Sequence, residues 1–346
     1  MKKEIEERAL SYDVVIVGAG AAGCMLAGEL SPSINALLVD YRIMPRKKAC
    51  SGILVKDSQD IIAHLAPPAN IFFTPKKFDI VYLDMANHLE KPVGKAFWNT
   101  SRKKLDQWLY SRLEKKQSIV ILDKTKLVDF FPTESGNSLI VTLDAGGHTM
   151  KAKTNYLVGC DGALSAIRKK ISSHTIPSYL AIQENILGKP IKNAYFIFDD
   201  EITDFYGWVI PKGKLVEVGV AVSPQNSKAK FESFKNRIAE RFGLSGKGEV
   251  DSAIVLRPIS MNEIILGQGH VLLCGEAAGL IDPSSAEGIS YALRSAKFCA
   301  DALNKNFDNA LEQYKKNCSP LLDRLAKKFE KSAVISDKEK RKKLFE

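Results

Sequence analysis

Three glycines spaced as Gly18-x-Gly20-x-x-Gly23 carry the clearest chemical signal in this chain. They follow Asp13 and an apolar run at 14–17 and lead into 24–30, which has the small and apolar residues of a helix. In that strand-turn-helix order the first glycine permits a tight turn. The second lets backbone approach a pyrophosphate, and the third lets the helix pack closely on the strand. The free N–H groups and positive dipole end of the helix then bind the anion. A second apolar run at 36–39 ends in Asp40, 22 residues after Gly18 and close to the ~20 expected for a carboxylate that holds a ribose hydroxyl. The pattern predicts a bound dinucleotide, with FAD and NAD both open at this point.

Other chemistry-bearing residues fall in three further stretches. Residues 41–52 form a basic loop that includes Tyr41, Arg46, Lys48, Cys50, Ser51 and Gly52, placed where doubly wound folds collect ligands. Asp161-Gly162 opens a segment that continues to Ser165 and Arg168, directly after a strand-like run at 156–159. Gly275-Glu276 follows another strand-like run at 270–274 and continues through Gly279, Asp282 and Pro283 to Gly288-Ile289. Asp161 and Arg168 have two readings: a nucleotide-linked role, or a helix-capping carboxylate with a salt bridge seven residues on.

The elements that must position these groups follow from periodicity and turn signals. A helix is expected at 56–65, stopped by Pro67-Pro68, and another opens at Arg102 with Thr100 or Ser101 as its cap. Strands are expected at 77–85, 95–98, 119–122 and 139–143. From Ala194 the texture turns β-rich, with strands at 194–198, 206–211 and 215–222, and a hairpin turn at Pro211-Lys212-Gly213. Alternation puts Tyr206 and Trp208 on one face. An amphipathic helix at 228–242, a strand at 252–256 and a helix at 290–303 follow, and Pro320 is expected to break the last helical stretch.

At 346 residues, 45% hydrophobic and 26% charged, the chain predicts an ordinary globular α/β protein with two lobes. No apolar run is long enough to span a bilayer, and residues 1–8 lack the apolar segment of a secretory leader, so a cytoplasmic protein is expected. Six scattered cysteines contain no CxxC pair, which argues against a metal site and against structural disulfides. Net charge is +10, partly from residues 337–346, which read as a solvated or disordered end. A contact of this tail, or of the lysine-rich back of the last helix, with a membrane surface is the alternative, and no nucleic-acid module accompanies the charge.

Taken together, the motifs resemble the flavin-dependent oxidoreductases built like para-hydroxybenzoate hydroxylase. Asp161-Gly162-x-x-Ser165-x-x-Arg168 resembles that group's DGxxSxxR motif, and Gly275-Glu276-Ala277-Ala278-Gly279 resembles its Gly-Asp-Ala-Ala-Gly motif, with Glu276 at the aspartate. Tyr206-x-Trp208-x-x-Pro211-Lys212 with Val218-Gly219 is similar to the YxWxFPK...VG signature of the geranylgeranyl reductase family. Lys48-x-Cys50-Ser51-Gly52 is similar to that family's KxCGG loop, with Ser51 at the first glycine. Flavin halogenases carry a related WxWxIP, but Tyr206 stands at its first tryptophan.

The resemblance implies a Rossmann-like FAD-binding domain of the GR2 type with an inserted antiparallel substrate domain and a C-terminal helical stretch. The cofactor domain would take residues 1–75, 100–175 and 266–346, and the substrate domain 76–99 and 176–265. It implies FAD held by Gly18, Gly20, Ala22, Gly23, Asp40 and Tyr41 at the ADP half. Lys48, Ser51, Gly52, Arg102, Asp161, Gly162, Gly275, Glu276, Gly279, Pro283, Gly288 and Ile289 would take the rest, Arg102 serving the phosphates or ribityl chain and Glu276 the ribityl chain. Cys50, as acid or orienter, and Tyr206 and Trp208, lining the substrate pocket, are the catalytic candidates.

No second GxGxxG lies between a strand and a helix, so NAD(P)H would visit transiently or an electron-donor protein would take its place. The expected activity is reduction of carbon-carbon double bonds in an isoprenoid or other apolar substrate. A flavin monooxygenase on the same fold and a non-catalytic flavoprotein electron carrier are the alternatives.

Overall fold

A computed structural model describes residues 10–346; the reading of residues 1–8 lies outside the described residues. An eight-stranded sheet forms the floor of the molecule, running Gly267–Gln268, Val271–Leu273, His148–Gly159, Leu10–Val17, Ala36–Val39 and Ile119–Leu122, with the hairpin strands Thr125–Pro132 and Leu139–Ala145 attached to His148–Gly159. The four central pairings are parallel, and their register is what builds the site. Val17 lies opposite both Val39 and Gly159, and Gly159 lies opposite Leu273. The residues that leave these strands, Gly18, Asp40, Cys160 and Cys274, therefore emerge in one row at the carboxyl edge, where open parallel sheets bind ligands.

The helix Ala21–Glu29 packs under this row against Ile289–Lys305, which in turn packs on Ala310–Ile335. A seven-stranded sheet stands above it in the order Val250–Leu256, Ser178–Ile186, Leu215–Val222, Gly207–Lys212, Ala194–Phe198, Ile80–Asp84 and Leu89–Pro92. One face is sealed by Phe231, Phe234, Ile238 and Phe242 of the helix Ser227–Phe242. The other face, carrying Tyr82, Phe196 and Trp208, looks toward the first sheet's carboxyl edge. A third sheet, Ile53–Leu54, Phe97–Thr100 and Phe72–Phe78, joins the two.

Three expectations need correction. The strand expected at 77–85 is split at Asp79 into Phe72–Phe78 and Ile80–Asp84. The Asp79 carboxylate accepts from the N–H groups of Ile80, Gly94 and Lys95 and so turns the chain from one sheet into the other. Pro320 does not end its helix, which runs from Ala310 to Ile335. Tyr314, Cys318, Leu321 and Leu325 bury one stripe on both sides of the proline, and that packing outweighs the single lost backbone bond.

The third correction concerns the tail. Residues 337–346 fold back as the short helix Lys338–Arg341 and a following turn. Arg341 is 1% exposed and donates to Asp84 at 2.6 Å and to Asp200 at 2.7 Å, tying the chain's end to the seven-stranded sheet. Among the described residues no helix is long and apolar enough to cross a membrane.

Removing one partner of a buried ion pair strands the others, at a cost of about 3–5 kcal/mol. Arg341→Met should lower stability by about that amount in denaturant titration, read against Lys343→Met as a surface control. Burial alone would raise the Asp84 carboxyl, but bonds from Arg341 and Asn87 hold it below the usual carboxylate range. A depressed carboxylate stabilises above its unfolded pKa and loses that contribution as pH falls through the folded value. The penalty of Arg341→Met should accordingly shrink on acidification below about pH 4.

Candidate active site

A cavity of ≈ 1770 Å³ lies between the carboxyl edge of the parallel sheet and the inner face of the seven-stranded sheet. One ligand pocket usually spans ~300–1,000 Å³, so this space suits a cofactor and a substrate together.

At the cofactor end the glycine turn is shaped by close backbone approach. A Cβ on Gly23 would lie 1.8 Å from the Gly18 carbonyl oxygen, so no side chain fits there. A Cβ on Gly20 would meet only the Arg46 guanidinium, at 3.1 Å, because that face of the turn opens into the cavity. Gly18, Gly20 and Ala22 line the cavity, whereas Gly23 does not. Asp40 also lines it, accepting from Ala19 N at 2.8 Å and Arg42 N at 2.9 Å. These two bonds fix the turn and leave further lone pairs on the carboxylate for a ligand hydroxyl. Tyr41 is exposed at the rim under the Arg42 guanidinium.

Asp161 ties the cavity wall to the helix that follows it. One oxygen accepts from Ala166 N at 2.9 Å and so caps the next helix, while the other is buried in the cavity wall with no protein partner. Burial pushes this carboxyl above its usual range. That oxygen is closed off from the cavity, 3.3 Å from where a Cβ on Gly159 would stand, so it is an unsatisfied acceptor inside the wall and not a contact offered to a ligand. Gly162 lies beside it on the wall.

Arg168 forms no salt bridge with Asp161. Its guanidinium, 4% exposed, donates to the carbonyls of Ala163 at 2.6 Å and of Glu276 and Ala277, both at 3.0 Å. The two motifs are thereby locked side by side. Glu276 lines the cavity, with Oε1 accepting from Leu256 N at 2.9 Å and Oε2 3.6 Å from Lys48 Nζ. Gly275, Gly279 and Pro283 sit behind the wall and shape the turn, and Gly288 and Ile289 reach the surface where the helix Ile289–Lys305 begins.

The 50–52 loop crosses the middle of the cavity. Cys50 and Ser51 line it, and Gly52 is tucked behind, its carbonyl accepting from Thr100 Oγ1 at 2.6 Å. Arg102 is on the wall and is gripped by Asp106 at 2.8 Å, while Ser101 caps its helix. Lys212 reaches in from the β lobe and donates to Ser51 O at 2.5 Å and Asn99 Oδ1 at 2.9 Å.

Beyond the loop the wall becomes aromatic. Tyr206 stacks on Phe196 at 4.7 Å and donates its hydroxyl to Ser285 O at 2.5 Å. Burial pushes the phenol well above its ordinary pKa, so it stays protonated as a fixed donor and its ring forms the wall. The Trp208 ring lies over Gly219, where a Cβ would come within 2.3 Å, and its indole N–H is buried without a partner.

Several lining residues carry no sequence signal beyond their element. Tyr82 and Phe196 follow from strand alternation once the inner face is known. Glu287 accepts from Ser290 N at 2.7 Å and Oγ at 2.6 Å at the start of a helix, and burial pushes its carboxyl up. Arg324, Lys328 and Lys331 form a cationic row on one side of Ala310–Ile335 at the cavity mouth, Lys328 pairing with Asp282 at 3.0 Å. Among the described residues no group of three or more His, Cys, Asp or Glu could hold a metal ion.

A parallel sheet, a glycine-turn cradle and a chamber above it define a dinucleotide-binding fold. The chain belongs to the FAD binding domain family, whose model matches residues 11–328. It is similar to Protein CbrA of Escherichia coli O9:H4 (strain HS), 30% identical over 336 residues that cover 94% of this chain and 90% of that protein. Its fold is similar to a geranylgeranyl bacteriochlorophyll reductase-like protein from Thermoplasma acidophilum, with a TM-score of 0.81 at 16% identity over 97% of this chain and 91% of the other. It is also similar to Pseudomonas aeruginosa PqsL in complex with 2-aminobenzoylacetate, with a TM-score of 0.74 at 16% identity over 97% and 99% of the two chains. The cofactor is FAD, and the open face at Gly20, with the Arg46 guanidinium beside it, fits a phosphate-bearing ligand.

The two glycines should separate in mutagenesis. Gly23→Ala should cost several kcal/mol and be read as loss of folded protein. Gly20→Ala should melt close to wild type but retain FAD at least about tenfold more weakly, measured by dialysis and flavin absorbance.

Proposed function

We propose that this protein is an FAD-dependent reductase that saturates carbon-carbon double bonds of an isoprenoid or other apolar substrate. Electrons would come from transiently bound NAD(P)H or from a protein donor. The observation that carries this reading is the aromatic chamber of Tyr82, Phe97, Phe196, Tyr206 and Trp208, which is continuous with the cofactor cradle. FAD, when bound, supplies the hydride chemistry.

The chain's own residues do the rest. The β sheet offers the substrate a flat, water-poor wall, with Tyr206 fixed by its bond to Ser285 O and Trp208 by its seat on Gly219. Lys212 holds the Ser51 carbonyl and so presents Cys50 to the cavity. Cys50 is the acid that we assign to delivering the proton to the carbon left electron-rich by hydride addition. At the mouth Arg324 and Lys328 are paired with Asp57 and Asp282, and Lys331, which donates to the Tyr82 hydroxyl at 3.4 Å, is the cation that suits a polar or anionic end of the substrate.

The test is anaerobic reduction of the purified yellow protein, followed by mixing with geranylgeraniol or with air while flavin absorbance is recorded. Rapid reoxidation by the prenyl alcohol and slow reoxidation by air are expected. Fast reoxidation by air with no response to the alcohol would sink the reductase reading in favour of a monooxygenase. Cys50→Ser should slow the substrate-dependent step by about 10²–10⁴-fold, the usual contribution of a positioned acid, with FAD content unchanged.

A further inference from the structure

We infer that Glu276 is a positioning residue that joins the cofactor motif to the substrate sheet, and that its extra methylene relative to aspartate is what lets it do so. The inference is independent of which reaction the site performs.

The strand Val250–Leu256 is an edge of the seven-stranded sheet, and residues 251–255 line the cavity. This strand pairs with Ser178–Ile186 on one side only, and the other row of backbone groups has no strand partner and is held by whatever grips it. At one end Lys47 bonds Glu249 at 2.7 Å and Asp251 at 2.9 Å. At the other, Glu276 Oε1 takes the Leu256 N–H at 2.9 Å. Both grips come from the cofactor side of the cavity. Lys47 and Glu249 are 47% and 78% exposed, whereas Leu256 is 3% and Glu276 13% exposed, so the second contact is the better shielded from water.

The base of Glu276 is immobile because Arg168 holds its carbonyl and that of Ala277. Its carboxylate reaches Leu256 on one side and Lys48 on the other. A carboxylate one carbon shorter, on the same clamped backbone, cannot span to Leu256 unless the sheet edge moves inward. The residue type at 276 therefore sets the separation between the cofactor motif and the edge strand, and with it the width of the cavity at that end.

The test uses the full-length, FAD-loaded protein and reads amide hydrogen exchange in the peptide covering 252–257 together with FAD affinity by dialysis. Glu276→Asp keeps the charge and loses the reach. It should speed exchange at Leu256 by about tenfold or more, the value of a hydrogen bond to a charged acceptor. Glu276→Gln keeps the reach through its amide oxygen and should retain most of the protection, a rescue that a simple packing role for the charge would not give. Wild-type exchange in Glu276→Asp would overturn the inference. So would a tenfold or greater loss of FAD affinity in Glu276→Gln, which would make Glu276 primarily a cofactor ligand.

Discussion

The buried guanidinium of Arg168 is the interaction on which the rest of the site depends. A charge removed from water must be matched by acceptors with good geometry, and here three backbone carbonyls provide them, from Ala163, Glu276 and Ala277. Burial draws the guanidinium's pKa down, and Asp161 and Glu276 nearby oppose that effect. The consequence is structural: two turns more than a hundred residues apart are held in contact at the carboxyl edge of one sheet. Once they are held, Asp161 faces the cavity on one side and Glu276 reaches the β lobe on the other. A lysine could not make the same three bonds from one planar group.

The β-lobe signature works by the same logic. Tyr206 bonds the loop that leads into the helix Ile289–Lys305, Trp208 rests on Gly219 of the neighbouring strand, and Lys212 holds the Ser51 carbonyl. Tyr206 and Lys212 reach segments outside the β lobe while Trp208 packs within it, so the signature reads as two ties between lobes as much as a substrate wall. Burial lowers the Lys212 pKa while the nearby Glu217 and Cys50 oppose that shift, and Asn99 completes the ammonium's contacts. This is a costly arrangement unless the carbonyl it meets has to stay where it is.

Much of this was legible in the sequence because it depends on local order. Strand, glycine turn and helix fall within residues 10–29, and the hairpin after Gly207 is announced by its alternation, although Pro211 and Lys212, expected in its turn, complete the strand and pair with Val216 and Leu215. The roles of Asp161, Arg168 and Glu276 were only half legible. Their motifs mark the turns, but whether a side chain meets a ligand or another carbonyl is decided by segments far away in sequence. Pro320 and the basic tail misled for the opposite reason. Local rules for proline and for charge runs are sound, but buried stripes on both sides of Pro320 and carboxylates at Asp84 and Asp200 outweigh them.

The tail also changes how the substrate lobe should be regarded. Ile335, Leu344 and Phe345 join the same apolar cluster as Phe198, Tyr206 and Trp208, and Arg341 anchors them to Asp84, 257 residues earlier. The aromatic chamber is thus backed by the end of the chain, and Asn87 donating to the Lys338 carbonyl at 3.0 Å adds a second stitch. An inserted sheet of this kind is not a detachable module, because its inner face is completed by a segment that first has to pass along the cofactor lobe as the helix Ala310–Ile335. The chamber and the cradle therefore form as one unit, and the geometry between them is set by the few side chains, Glu276, Lys212, Tyr206 and Arg341, that cross from one to the other.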